Sequence, residues 1–169
     1  RPANKNPANM LRFCITNSSL TFTGVEPFRM VDNNPRFAAS ANFCLDWQTV
    51  SHALDLLEDF LDGQVTDDDI RARLAIIVEE LVANIVEHSG VPADQPISLT
   101  FERSGAEIMI TLSDSGVAFD PCGHLQPSEP PPERGGGAGL ALVQNWARSM
   151  SHSRADGRNT LTLVIAAHG

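Results

Sequence analysis

At 169 residues, with 42% hydrophobic residues and a formal net charge of −9, the chain has the size and apolar content of one globular domain. That acidity repels phosphate backbones and argues against a nucleic-acid backbone as the main partner, although backbone amides and a metal ion can still hold a nucleotide. No apolar run approaches the roughly 20 residues of a bilayer span, and RPANKNPANM lacks the apolar core of a signal peptide. Cys14, Cys44 and Cys122 are odd in number and show no CxxC spacing, which disfavours a disulfide framework or a zinc site and fits a reducing cytoplasm.

Residues 1–35 are rich in Asn, Pro and Thr. Within them LRFCI and LTFTG alternate weakly around Asn17-Ser18-Ser19, a pattern open to a hairpin, a tail or an arm pairing with another subunit. The domain proper is expected over residues 36–169. Phe37, Ala39, Ala41, Phe43 and Leu45 alternate as a strand with one buried face. Val50, Ala53, Leu54, Leu57 and Leu61 follow helical spacing, with Gly63 as a stop.

Thr66-Asp67-Asp68-Asp69 supplies a cap and three carboxylates for a second helix, where the macrodipole favours negative charge. That helix reaches about His88, and Gly90 and Pro92 end it. Its stripe Ile70, Leu74, Ile77, Leu81 and Ile85 is apolar, while Glu80 and Asn84 lie one turn apart along the border of that stripe.

Ile97-Leu99-Phe101 and Ile108-Ile110-Leu112 read as a hairpin across Ser104-Gly105. Ser113-Asp114-Ser115-Gly116 and a Pro- and Gly-rich loop to Gly137 follow. Leu140, Val143, Trp146, Ala147 and Met150 predict a third helix. Asp156-Gly157 predicts a turn, and Leu161, Leu163 and Ile165 a last strand. This order points to an α+β fold, a two-layer sandwich of a mixed, mostly antiparallel sheet with helices on one face.

Three stretches carry chemistry. An Asp leaving a strand, here Asp114, accepts from an exocyclic amine such as that of adenine, and Gly116 lets the backbone approach the ring. Gly135 to Gly139, at the start of a helix, expose N–H groups to phosphate. Mg²⁺ needs few protein oxygens when phosphates and waters complete its octahedron, so the Asn84 amide oxygen suffices, and Glu80 then lies close to the terminal phosphate.

This set resembles the GHKL superfamily of ATP-binding domains, and within it the bacterial anti-sigma-factor serine/threonine kinases, over residues 37–165. The resemblance implies a Bergerat-type fold binding ATP and Mg²⁺. Glu80 and Asn84 match the N box, implying a general base and the Mg²⁺ ligand. Asp114, Gly116, Phe119, Asp120 and Pro121 match the adenine box. Gly136, Gly137, Gly139, Leu140, Leu142 and Val143 match the second glycine box, and Thr160 the threonine that supports adenine through a water. Arg134 is the obvious charge for the γ-phosphate in an otherwise Pro-rich lid. The implied substrate is a serine on a STAS-domain anti-sigma-factor antagonist, with a sigma factor as second partner and a homodimer as the working form. Other readings are a histidine-kinase catalytic domain, for which His52 is the upstream candidate without the usual acidic neighbour, and a non-catalytic switch gated by nucleotide. A topoisomerase-type ATPase is remote, since its companion domains are absent.

Beside the motifs, His88 reads as a polar-edge residue and Glu87 as solvated. Arg73, two turns before Glu80, reads as balancing its charge. Trp47 and Trp146 read as packing residues, and Cys122 as an inert thiol.

Overall fold

The computed structural model describes residues 14–15, 20–21, 36–62, 67–92, 94–122 and 138–167. Five long strands are β3 (Arg36–Phe43), β4 (Ile97–Ser104), β5 (Glu107–Asp114), β6 (Ser149–Ala155) and β7 (Arg158–Ala166); two short ones are β1 (Cys14–Ile15) and β2 (Leu20–Thr21). The sheet order is β1-β2-β3-β4-β5-β7-β6. Every pairing is antiparallel, so the mixed sheet expected from sequence is antiparallel throughout its described part.

Alternation decides the two faces. Ala39, Ala41, Phe43, Leu99, Phe101, Ile110, Leu112, Leu163 and Ile165 are buried and meet the helices, while intervening residues such as Ser40, Thr100, Thr111 and Thr162 are half-buried on the other face. At the edge of that pattern Phe37 is exposed, and Leu45 lies beyond the strand.

Helix α1 (Thr49–Leu61) begins where Asp46 and Thr49 exchange hydrogen bonds, the Asp46 amide donating to Thr49 Oγ1 at 2.8 Å and that hydroxyl donating to Asp46 Oδ1 at 3.1 Å. It ends at Asp62; Gly63 lies outside the described residues. Helix α2 (Asp68–His88) is capped by Asp67, whose side chain accepts from the Ile70 amide at 2.8 Å. Asp67 therefore takes the capping role read for Thr66, which lies outside the described residues; such a cap is worth about 1 kcal/mol.

The expected stripe of α2 is buried, and Val78 and Val82 join it. Each such side chain contributes roughly 1.5–3 kcal/mol on leaving water. Beyond the helix, Gly90 takes φ +61°, a backbone conformation that favours glycine.

The clearest departure from sequence lies after α3 (Ala138–Trp146). Helical spacing includes Met150, yet the helix stops four residues earlier and Met150 belongs to β6. The amide of Ala147 still bonds the Val143 carbonyl at 3.0 Å, whereas that of Arg148 turns to Val164 at 2.8 Å. Ladder pairing with β7 captures the chain there, although no Gly or Pro breaks the helix. No described helix is long and apolar enough to cross a membrane.

Candidate functional site

One end of the sheet carries the last residue of β5, the first residues of β7 and the far end of β6. There α2 and α3 leave a cleft of about 300 Å³. Asn84 and His88 from α2, Asp114 at the end of β5, Phe119 beyond it, and Leu140 from α3 all line it. Three sequence motifs separated along the chain thus meet around one cavity.

Among its buried polar groups is Asp114, which is 7% exposed. Asp114 Oδ1 accepts from the Gly116 amide at 2.7 Å and from Asn159 Nδ2 at 3.1 Å. No described donor takes Oδ2, which leaves it as an acceptor on the cleft wall that Asp114 lines. A carboxylate oxygen held in this way suits a ligand that offers an amine. It disfavours one that offers a carbonyl at the same place.

Gly116 is required by close approach. A Cβ there would run into the backbone oxygen of Ser89, and would stand 2.8 Å from both Asp114 Oδ1 and Ser89 Cβ. The next amide, of Val117, donates to the Ser89 carbonyl at 2.7 Å. The end of α2 is thereby tied to the loop after β5, which fixes Asn84 relative to Asp114.

Glu80 and Gly139 meet on the α3 side. The Glu80 carboxylate lies against Gly139 in the first turn of α3, filling the space a side chain at residue 139 would occupy. A helix amino end is a favourable place for a negative charge. Glu80 itself is half-buried and stands beside the cleft rather than in its wall, whereas Asn84, one turn on, is in the wall.

Other predicted residues fall elsewhere. Thr160 is corrected: its hydroxyl is 3.3 Å from Ser113 Oγ on the opposite face of the sheet. Strand side chains alternate, so Thr160 points away from the cleft and Asn159 points toward it. The Arg73 guanidinium lies 6.0 Å over the ring of half-buried Trp146. Leu142 is 44% exposed and Val143 is buried. Trp47 is 88% exposed and so is not a packing residue. Arg134, Gly135, Gly136 and Gly137 lie outside the described residues.

Sequence reasoning missed three residues of the site. Asn159, 6% exposed, heads the buried face formed by Leu161, Leu163 and Ile165, so extending that alternation by one step back would have found it. His152 and Arg154 come from β6, where alternating Ser residues give no apolar signal. His152 lines the cleft with Nδ1 3.7 Å from Asp120 Oδ1, and its buried Nε2 has no partner among the described residues. His88 is an exposed neighbour of Glu87 at 3.6 Å that also borders the cleft.

Cys122 is exposed and follows Pro121, which lines the cleft. Partial burial, and then neighbouring Asp120, push its thiol above the usual range, as an inert thiol requires.

Two comparisons bear on this geometry. A family model described as histidine kinase-like ATPase domain matches residues 44–165, which include Glu80, Asn84, Asp114, Gly139 and Leu140. The chain is also 34% identical over 123 residues to the serine/threonine-protein kinase BtrW of Bordetella bronchiseptica, covering 69% of this chain and 84% of that protein. The match spans the elements that bring Asn84, Asp114 and Leu140 to the cleft, and the chain belongs to the histidine kinase-like ATPase domain family.

Proposed function

We propose that the protein is an ATP-dependent serine/threonine protein kinase of the anti-sigma-factor type, with residues 36–169 as the kinase domain and residues 1–35 as an extension. The convergence of Asn84, Asp114 and Leu140 on one cleft, with Glu80 against the start of α3, is the observation that carries the reading. Similarity to a serine/threonine-protein kinase supports the transfer to a hydroxyl.

In this reading Asp114 Oδ2 accepts from the exocyclic amine of adenine, and Gly116 and Phe119 border the base. Gly137, Gly139 and Leu140 bring the amino end of α3 to the phosphates, and Arg134 offers its charge to the γ-phosphoryl group. Asn84 holds Mg²⁺ through its amide oxygen. The described residues offer no group of three or more His, Cys, Asp or Glu side chains for a metal cage, which fits an ion held by one protein oxygen together with phosphates and water. The ion supplies charge neutralisation at the phosphates. Glu80 accepts the proton as a serine oxygen forms its bond to the γ-phosphorus, the bond to the β-phosphate oxygen breaks, and ADP departs.

The substrate proposed is a serine of a STAS-domain anti-sigma-factor antagonist, and the second partner a sigma factor. Binding takes place in the cytoplasm and on a homodimer. Labelled ATP, Mg²⁺ and a STAS-domain protein from the same genome test the reading directly. Acid-stable phosphoserine on that protein is the expected result. Bound ATP without transfer to any such protein overturns the kinase reading, and an acid-labile phosphoryl group would mark a histidine kinase instead.

A further inference from the structure

Beyond the motif residues, two side chains determine which way the base-reading carboxylate faces. Arg154 on β6 stands directly across the ladder from Asn159 on β7. Its Nη1 donates to Asn159 Oδ1 at 2.6 Å and to the Gly116 carbonyl at 3.0 Å. Asn159 Nδ2 in turn donates to Asp114 Oδ1 at 3.1 Å and to the Val117 carbonyl at 2.9 Å.

The orientation of the Asn159 amide follows from chemistry. Arginine can only donate, whereas a carboxylate and a carbonyl can only accept, so a flipped amide would oppose all three partners. Asp114 Oδ1 is then saturated by the Gly116 amide and Asn159, both held in place, and the carboxylate cannot rotate. Asp114 and Asn159 are 7% and 6% exposed, so water competes little with this network.

We propose that Arg154 and Asn159 form a clamp that keeps Asp114 Oδ2 presented as an acceptor, making them positioning residues for selecting a 6-amino over a 6-oxo purine. This inference rests on the adenine reading of Asp114 given above. Arg154 clamps from the sheet edge, holding both the amide that bonds Asp114 and the loop at Gly116. Neither residue needs to touch the nucleotide.

Titration calorimetry with ATP and with ITP, which carries a carbonyl in place of the 6-amine, tests the clamp on wild type, Arg154→Ala, Arg154→Lys and Asn159→Asp, with thermal melts in parallel. Wild type is expected to prefer ATP. Arg154→Ala should lower that preference roughly tenfold, about the value of one hydrogen bond, and Arg154→Lys should recover part of it. Asn159→Asp keeps the contact with Arg154 but replaces the donor facing Asp114 by an oxygen, and should lower it at least as far. A purely structural role would change melting temperature and leave the ATP/ITP ratio alone. Unchanged ratios in Arg154→Ala and Asn159→Asp overturn the clamp while the adenine reading stands. A wild-type protein that does not favour ATP overturns both. Should Arg154→Ala fail to fold, Arg154→Lys and Asn159→Asp decide.

Discussion

The Glu80 carboxylate fills the space beside Gly139 that any side chain at residue 139 would need. The N box and the second glycine box are therefore one geometric requirement at this point. Gly139→Ala gains up to about 1 kcal/mol of helix propensity, and the group it displaces is the far end of a flexible side chain. The expected result is a melting temperature equal to or above wild type, with phosphoryl transfer reduced because Glu80 has swung away. Adding Ala at both positions should leave the propensity gain intact relative to Glu80→Ala alone, which a double-mutant cycle of thermal melts would measure.

Glu80→Gln keeps the size of the side chain and removes its basicity. Phosphoserine formation should fall by roughly 10²–10⁴-fold, the usual contribution of a general base, while ATP affinity stays within a few-fold of wild type. Single-turnover transfer and calorimetry read the two quantities separately.

Gly116→Ala differs from Gly139→Ala because its obstacle is backbone. The new methyl meets the Ser89 carbonyl oxygen and Asp114 Oδ1, neither of which can swing aside. A stability loss of about 1–3 kcal/mol is expected from such overpacking, together with weakened ATP binding. Urea denaturation should show a lower midpoint at unchanged slope.

Cys122 should alkylate slowly. Its thiol is pushed up by burial and by the Asp120 carboxylate, so less thiolate exists near neutral pH than for a free cysteine. Iodoacetamide labelling, followed by mass spectrometry across pH, should show the Cys122 rate rising later than that of a small thiol. Asp120→Asn removes the negative charge and should bring the rise to lower pH.

Long periodic segments were legible in the sequence for a physical reason. Ile70, Leu74, Ile77, Leu81 and Ile85 repeat at the helical period over about four turns, and the hairpin alternates from Ile97 to Phe101 and through β5. The polar pair on α2 stood out because it borders the apolar stripe, and Asp114 and Gly139 because β5 ends and α3 begins there. What was hidden depends on pairing partners far away in sequence. Ser-Met-Ser-His-Ser-Arg-Ala carries no apolar alternation because β6 is an edge strand, mostly exposed and bonded on one side. Thr160 attracted attention as a residue type, whereas the alternation through Leu161 assigns the cleft to Asn159. Met150 matched a helical spacing that the ladder to Leu163 overrides.

The strand latest in sequence, β7, lies between β5 and β6 and brings Asn159 beside Asp114. During translation, Glu80, Asn84 and Asp114 all leave the ribosome before Asn159, the donor that holds the Asp114 carboxylate. A nascent or carboxy-terminally clipped chain lacking that strand retains all three boxes while the Asp114 carboxylate is left without its Asn159 donor, so the ordering of that acceptor waits on the last part of the polypeptide.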